Sequence, residues 1–276
     1  MSFAPKITRY FDNKPCPRAE VLFETFALGT ARVTVYRSAG GRDYPMRGAI
    51  NAAVAGALTR VDFEIPFGVD VTYRAEMFSS SGMSLGFTSS ATTILHFDGT
   101  VVHNPLDPQG AVYVDLLDQS AAIISRPVNG EILHPQGRVV GVAITSGRRG
   151  LSQVNLVIST RGLEDADKFS RLVGGYSGNS VAVMCIRTGS PMRIPKPLFL
   201  SVLDPKERAV DVHLGGTLID WDLDGTEVSP PAPGIFIPLL TRADINAFYP
   251  TRAAVNAAHP TRLSVNRAYD LIGAAS

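Results

Sequence analysis

The chain is poor in charge and in cysteine. Charged residues fill 18% of its 276 positions, against roughly 25% in an ordinary soluble domain. Lys and Arg number 26 and Asp and Glu 25, a formal net charge of +1. With neither sign in excess, no polyanion, and so no nucleic acid, is implied as a partner. The two cysteines, Cys16 and Cys185, exclude a disulfide framework and a paired metal-ligand spacing. Cys185 sits in the apolar run from Val181 to Ile186 and is expected as a buried, reduced thiol. The five histidines, His96, His103, His134, His213 and His259, show no metal-ligand spacing. Each reads as a surface or satisfied core residue, and no cofactor is expected. Long hydrophobic runs are also missing. The stretch of lowest polarity, Ala49 to Leu58, contains Asn51 and falls far short of the about 20 residues of a membrane span. Met1-Ser2-Phe3-Ala4-Pro5-Lys6 lacks the charged-then-apolar pattern of a signal peptide. Aromatics are 8% and unclustered, so no sugar-stacking platform is visible. Mean hydropathy is nevertheless positive, at +0.11. A soluble chain with so little charge keeps surface against neighbours, which points to an oligomer or a larger particle.

What is present is β patterning. Residues 1–30, with Pro5, Pro15 and Pro17, read as irregular. Ala31, Val33 and Val35 then alternate with Arg32, Thr34 and Tyr36, the period of a half-buried strand. Gly40-Gly41-Arg42-Asp43 reads as a turn. Val61 to Ile65 alternates again and stops at Pro66-Phe67-Gly68. Val69, Val71, Tyr73, Ala75 and Met77 form the clearest alternation. Ser79 to Gly82 reads as a mobile loop, and Thr92 to Phe97 and Ala111 to Leu116 as further strands. This spacing predicts a β-sandwich over roughly residues 25–120. In a second block, Val139 to Ile144 and Val154 to Ser159 flank Ser146-Gly147-Arg148-Arg149-Gly150, which reads as a hairpin tip. One helix follows, with Glu164, Asp165 and Asp167 early, Lys168 and Arg171 late and Gly174-Gly175 at its end. Its apolar face is Ala166, Phe169, Leu172 and Val173. Val181 to Ile186, Leu198 to Leu203, Ala209 to Leu214 and Thr217 to Leu223 complete the block. The expected fold class is mainly β: an N-terminal β-sandwich domain over 1–125, a second β-rich domain with one α-helix over 126–230, and a Pro linker with a helical tail over 231–276.

That tail repeats every ten residues. Thr241-Arg242-Ala243-Asp244-Ile245-Asn246 returns as Thr251-Arg252-Ala253-Ala254-Val255-Asn256 and as Thr261-Arg262-Leu263-Ser264-Val265-Asn266. Each Thr is placed to cap a helix, Asp244 stands at capping-box spacing, and Pro250 and Pro260 stop the preceding turns. Helices shorter than about 12 residues are marginal in water, so these units must lie on their own domain or on another protein. As a docking arm, the tail would make contacts through Arg242, Ile245, Arg252, Val255, Arg262 and Val265. The lone tryptophan, Trp221, reads as core or as a further assembly contact.

Chemistry is sparse. Gly175-Tyr176-Ser177-Gly178-Asn179 misses the nucleophile elbow, because Asn179 replaces its second glycine. Asp222-Leu223-Asp224-Gly225 resembles a scrap of a calcium loop without the later ligands, and a turn explains it better. Gly147-Arg148-Arg149-Gly150 can hold a phosphate or an acidic partner or serve as a solvated hairpin tip. Asp98 and Asp107 are the least implausible acid pair for glycan cleavage. No enzyme is expected.

Four stretches resemble one family. They are Ala31 to Ser38 followed by Met46-Arg47-Gly48; Asp62 to Val69 with Val71 to Glu76; Asn104-Pro105-Leu106-Asp107-Pro108; and the decad tail. Together they resemble the minor tail proteins of long-tailed, non-contractile phages infecting actinobacteria, of the distal tail or baseplate type. This chain departs in the tail, where Arg242, Arg252 and Arg262 replace the usual aromatic and only Asp244 keeps the acid. The resemblance implies a fibronectin-like N-terminal sandwich and a structural virion protein of the tail tip, made in the host cytoplasm. It implies a homo-oligomeric ring in contact with tail tube, tape-measure and other minor tail proteins, with no active site. The alternative is a carbohydrate- or receptor-binding adhesion module, which would meet a host cell-wall glycan through the loop Phe78 to Gly86, with Ser79, Ser80, Ser81 and Met83 at its centre.

Overall fold

The computed structural model describes residues 3–174, 183–232, 240–261, 264–265, 268–271 and 274–275. It is mainly β, with every ladder pairing antiparallel. The segment expected to be irregular forms β1 (Lys6–Tyr10) and β2 (Arg18–Phe23). These pair with β6 (Leu58–Asp62) in a three-stranded sheet. The signal was hidden because β2 is buried on both faces, Arg18 and Glu20 included, so no alternation shows. A second sheet holds β3 (Arg32–Ala39), β4 (Arg42–Pro45), β5 (Ala52–Ala53), β7 (Val71–Phe78), β8 (Ser84–Phe87) and β9 (Ala91–Thr93). The alternation along β7 is kept: Val71, Tyr73, Ala75 and Met77 are all buried. They share one core with Val33 and Val35 of β3 and with Ala19, Val21 and Phe23 of β2. The expected strand Thr92 to Phe97 is shorter, ending at Thr93, and only Leu95 makes a further bridge, to Phe67.

Six of the remaining strands build a closed barrel. In ring order these are β14 (Val154–Arg161), β11 (Asp107–Leu116), β10 (Thr100–Asn104), β15 (Met184–Thr188), β16 (Leu198–Val202) and β18 (Leu218–Glu227). The ring closes where β18 pairs back onto β14 over eight residues, Val154↔Gly225 to Arg161↔Leu218. The short β17 (Lys206–Ala209) lies beside the first half of β18. The strand expected from Ala209 to Leu214 instead breaks at Ala209, and Val212–Leu214 forms a 3-10 turn. The helix α1 (Leu163–Val173) lies against β11, β14 and β18 and inserts Ala166, Phe169 and Leu172 into the barrel core. Its charges fall as expected: Lys168 bonds Glu164 one turn back at 2.8 Å, and Gly174 ends it in the left-handed conformation.

The barrel wall is shared. Val101 belongs to the core of the two N-terminal sheets and its neighbour Val102 to the barrel core. On β11, Val112 and Val114 point into the barrel while Ala111 and Tyr113 pack outward on those sheets. Thus β10 and β11, counted by spacing with the first 125 residues, hydrogen-bond into the sheet of the second half. Successive side chains of a strand face opposite ways, so the run Thr100-Val101-Val102-His103, buried throughout, is what a strand between two cores requires.

The predicted hairpin around Gly147 is not formed. Val142–Arg148 (β13) pairs with Val128–Leu133 (β12) in a separate two-stranded sheet, while β14 turns away to the barrel. Arg148 and Arg149 therefore stand at the base of a hairpin whose tip is residues 134–141. Asp222 to Gly225 likewise lies within β18, not in a turn.

Candidate assembly surfaces

The β12–β13 arm has almost no cover. Every residue of β13 is exposed, and Ile132, Leu133, Val142 and Ile144 are open along its length. At the tip Val139 is 99% exposed and Val140 77%. A two-stranded hairpin is at best marginally stable alone in water, and large apolar side chains left open on one element are a feature of contact surfaces.

The tail forms helices α2 (Arg242–Phe248) and α3 (Arg252–Ala258), with a turn at Tyr269–Leu271. Thr241 accepts the backbone N–H of Asp244 at 3.2 Å, and Asp244 Oδ2 accepts the Thr241 N–H at 2.9 Å, so the capping box is complete. In the second copy Thr251 accepts from the Ala254 N–H, without a returning acid. In the third, Ser264 takes the acid's place and accepts the Thr261 N–H at 3.2 Å. Asp244 is buried and its other oxygen accepts the Ala275 N–H at 3.1 Å. Tyr249 and His259, ten residues apart, join through the Tyr249 hydroxyl and His259 Nε2 at 3.0 Å. These bonds tie the tail to itself. Arg242 and Arg252 are exposed, Ile245, Val255 and Val265 half-buried; Arg262 lies outside the described residues.

Trp221 is not an exposed contact. It is buried in the barrel core, its ring centre 4.9 Å from that of Phe169 and its indole N–H on the Thr160 hydroxyl at 3.4 Å. Ser79 to Met83 form the tight turn joining β7 to β8. The Ser79 N–H donates to the Met83 carbonyl at 2.9 Å, and Ser79 Oγ accepts the Met83 N–H at 3.1 Å. Ser80, Ser81 and Met83 are exposed, and behind them Phe87 is open and covered on one face by Arg74, 4.6 Å from the ring centre.

The catalytic candidates do not assemble. Asp98 precedes β10 and Asp107 follows it, caught in a turn by the Gln109 N–H. Asp98 lies before the bend that leads into β10, and the strand Thr100–Asn104 runs between it and Asn104, the ladder partner of Asp107; that strand alone spans about 13 Å at strand rise, against the roughly 5–9.5 Å of a glycosidase pair. Gly175 to Asn179 lie outside the described residues. Asp224 accepts from Asn155 across the ladder at 2.9 Å, and no cluster of three His, Cys, Asp or Glu able to hold a metal occurs among the described residues.

The polar groups that sequence patterning missed are buried clasps. Arg37 of β3 grips both oxygens of Asp62 at 2.7 and 2.9 Å, and Tyr73 of β7 donates to the same carboxylate at 2.7 Å. Burial, and then the Asp62 charge, push the Tyr73 hydroxyl well above its usual range. Glu64, also buried, receives Arg47 at 2.7 Å, and Arg47 reaches on to the carbonyls of Pro231 and Ala232. Between the sheets and the barrel, Arg187 is fully buried. It donates to the Pro17 carbonyl at 2.7 Å and to Cys16 Sγ at 3.0 Å, and lies 4.6 Å from the Phe67 ring centre. Burial raises both thiols, Cys16 and Cys185. His103 departs from expectation: it is wholly buried, and neither ring nitrogen has a hydrogen-bond partner among the described residues.

No family model, curated protein or solved structure matches the chain.

Proposed function

We propose that the chain is a structural subunit of a phage tail tip, of the distal tail or baseplate type, working in an oligomeric ring that links the tail tube to host-contacting proteins. The exposed apolar arm β12–β13 carries this reading. Of the exposed strands, the arm leaves the most large apolar side chains open, with Val128, Ile132, Leu133, Val142 and Ile144 on its strands and Val139 and Val140 at its tip. Burying its large apolar side chains, worth about 1.5–3 kcal/mol each, requires a partner surface, and the same surface exists on every copy. A head-to-tail contact of that kind closes into a ring when its rotation permits. The resemblance in residues 31–38, 46–48, 62–69, 71–76, 104–108 and the tail supports the same assignment. On that reading the paired N-terminal sheets are a fibronectin-like sandwich, the partners are tail tube, tape-measure and other minor tail proteins, and the place is the virion.

Light scattering on the size-separated chain across a concentration series tests this. A discrete multiple of 29.5 kDa is expected, falling to one subunit when residues 130–146 are replaced by a short Gly-Ser turn. A full chain that stays monomeric throughout and binds no tail protein rejects the proposal.

The exposed Phe87 and Met83 at the β7–β8 turn favour a second reading, adhesion to a host cell-wall glycan. Retention on purified cell wall, lost when residues 79–83 are shortened, supports it; no retention at high protein concentration sinks it.

A further inference from the structure

A cleft of about 520 Å³ opens where β4, β16, the end of β18 and the base of the β12–β13 arm meet. Its rim holds Arg42, Arg126, Arg148 and Arg149, and its lining has one acid, Glu227. In a chain whose whole formal charge is +1, this is a concentration of positive charge.

Glu227 does not neutralise it. One carboxylate oxygen takes Arg42 at 2.6 Å and the other takes the Leu151 N–H at 2.8 Å. Arg126 donates to a neutral acceptor, the Arg193 carbonyl, at 2.8 Å, and Arg149 to the side-chain oxygen of Asn129. Among the described residues the Arg148 guanidinium has no hydrogen-bond or ion-pair partner, and none of these three guanidiniums meets a carboxylate. The floor is apolar and aromatic: Leu151 and Phe199 are buried there, and the ring of Tyr44 stands edge-on to Phe199 at 6.3 Å. The close approach is built in. A Cβ at Gly150 would come within 3.0 Å of the Glu227 carbonyl oxygen, so glycine lets the arm's base settle on β18 and brings Arg148 and Arg149 to the rim.

We propose that this cleft binds a phosphate group, free or as an ester. Three guanidiniums exceed what a single carboxylate balances. A phosphate monoester carries about −1.5 to −2 charges at pH 7 with three acceptor oxygens, and the planar guanidinium matches those oxygens with paired donors. The Tyr44 and Leu151 surfaces suit the carbon skeleton of an ester. The site goes beyond the assembly reading and does not depend on it.

The test is calorimetric titration of the full chain at low salt, where exposed charges are least screened, with inorganic phosphate, glycerol 3-phosphate and glucose 1-phosphate. One saturable site per chain is expected. Arg148→Glu and Arg126→Gln, both at exposed positions, should each weaken it about tenfold or more, since charge-assisted bonds are the strong ones. Arg32→Gln, at the far end of β3, should leave it unchanged, and circular dichroism should show every variant folded. Equal affinity for all three ligands assigns the cleft to free phosphate, and tighter binding of the esters assigns it to phosphorylated sugars or polyols. The proposal is overturned by the absence of saturable binding, by equal binding in Arg148→Glu, or by a hexaglutamate peptide that binds more tightly than every phosphate compound.

Discussion

His103 is the residue whose chemistry departs furthest from its sequence context. Burial first, then the charges of Arg187 and Arg47, hold its imidazole well below its ordinary range, so the folded protein keeps it neutral. In the unfolded chain it takes a proton near pH 6.5. Below that value the unfolded state therefore binds more protons than the folded one, and stability rises with pH. The contribution is full above about pH 6.5 and shrinks as pH falls toward the folded value, at up to about 1.4 kcal/mol per pH unit. Urea denaturation between pH 7.5 and 5 should show that slope, and His103→Leu should remove it whatever its effect on the midpoint at pH 7. An unchanged slope in His103→Leu places the acid sensitivity elsewhere. The Arg37–Asp62–Tyr73 clasp shows the same logic with the opposite outcome: a buried charge is tolerated because its partner oxygens are filled from two strands.

Among the elements, the decad tail is the one whose local rules and tertiary role can be separated. Thr251 makes one cap bond, to Ala254, in an exposed turn. Replacing a capping Thr by Ala costs about 0.5–2 kcal/mol, and Thr251→Ala should fall at the low end because it frays one short helix. Asp244 makes the return half of its capping box and also receives Ala275, 31 residues on. Asp244→Ala should therefore loosen the whole tail. Hydrogen exchange should show faster amides through α2, α3 and the turn at Tyr269–Leu271 in Asp244→Ala, but only through α3 in Thr251→Ala. Equal, local effects in the two variants mean that the Ala275 contact is not what closes the tail.

Across the whole molecule, the shared wall decides how the protein unfolds. Val101 and Val102 belong to different cores but to one strand, and Arg187 on the same wall donates to Pro17, Cys16 and Ile65, all in the N-terminal sheets' part of the chain. The N-terminal sheets and the barrel cannot part without exposing both. Calorimetry should give one cooperative transition for the pair, and Val101→Asp should lower it as a unit. Two transitions, of which only the earlier responds to Val101→Asp, show that the halves are independent.

The local signals in the sequence were sufficient for local structure. The period-2 run of β7 kept its faces, α1 formed where its acidic start and glycine end placed it, and the tail capped at Thr241 and Thr251. The helix and the caps rest on bonds within a few residues, and the faces of β7 on the alternation of its own side chains, so the neighbours in sequence hold those signals. Partner choice was different. A β ladder is made by backbone groups that every residue carries, and nothing in Val142 to Arg148 says that it pairs with β12 instead of β14. Closure of the barrel through β14 and β18, and the place of β10 and β11 in its wall, are settled by which faces bury most area together. The same reason hid the polar centres. Asp62, Glu64, Arg187 and His103 read as ordinary polar positions until strands distant in sequence cover them, and Arg148 and Arg149 join a cationic cleft only once Arg42, some 106 positions earlier in the chain, is folded beside them.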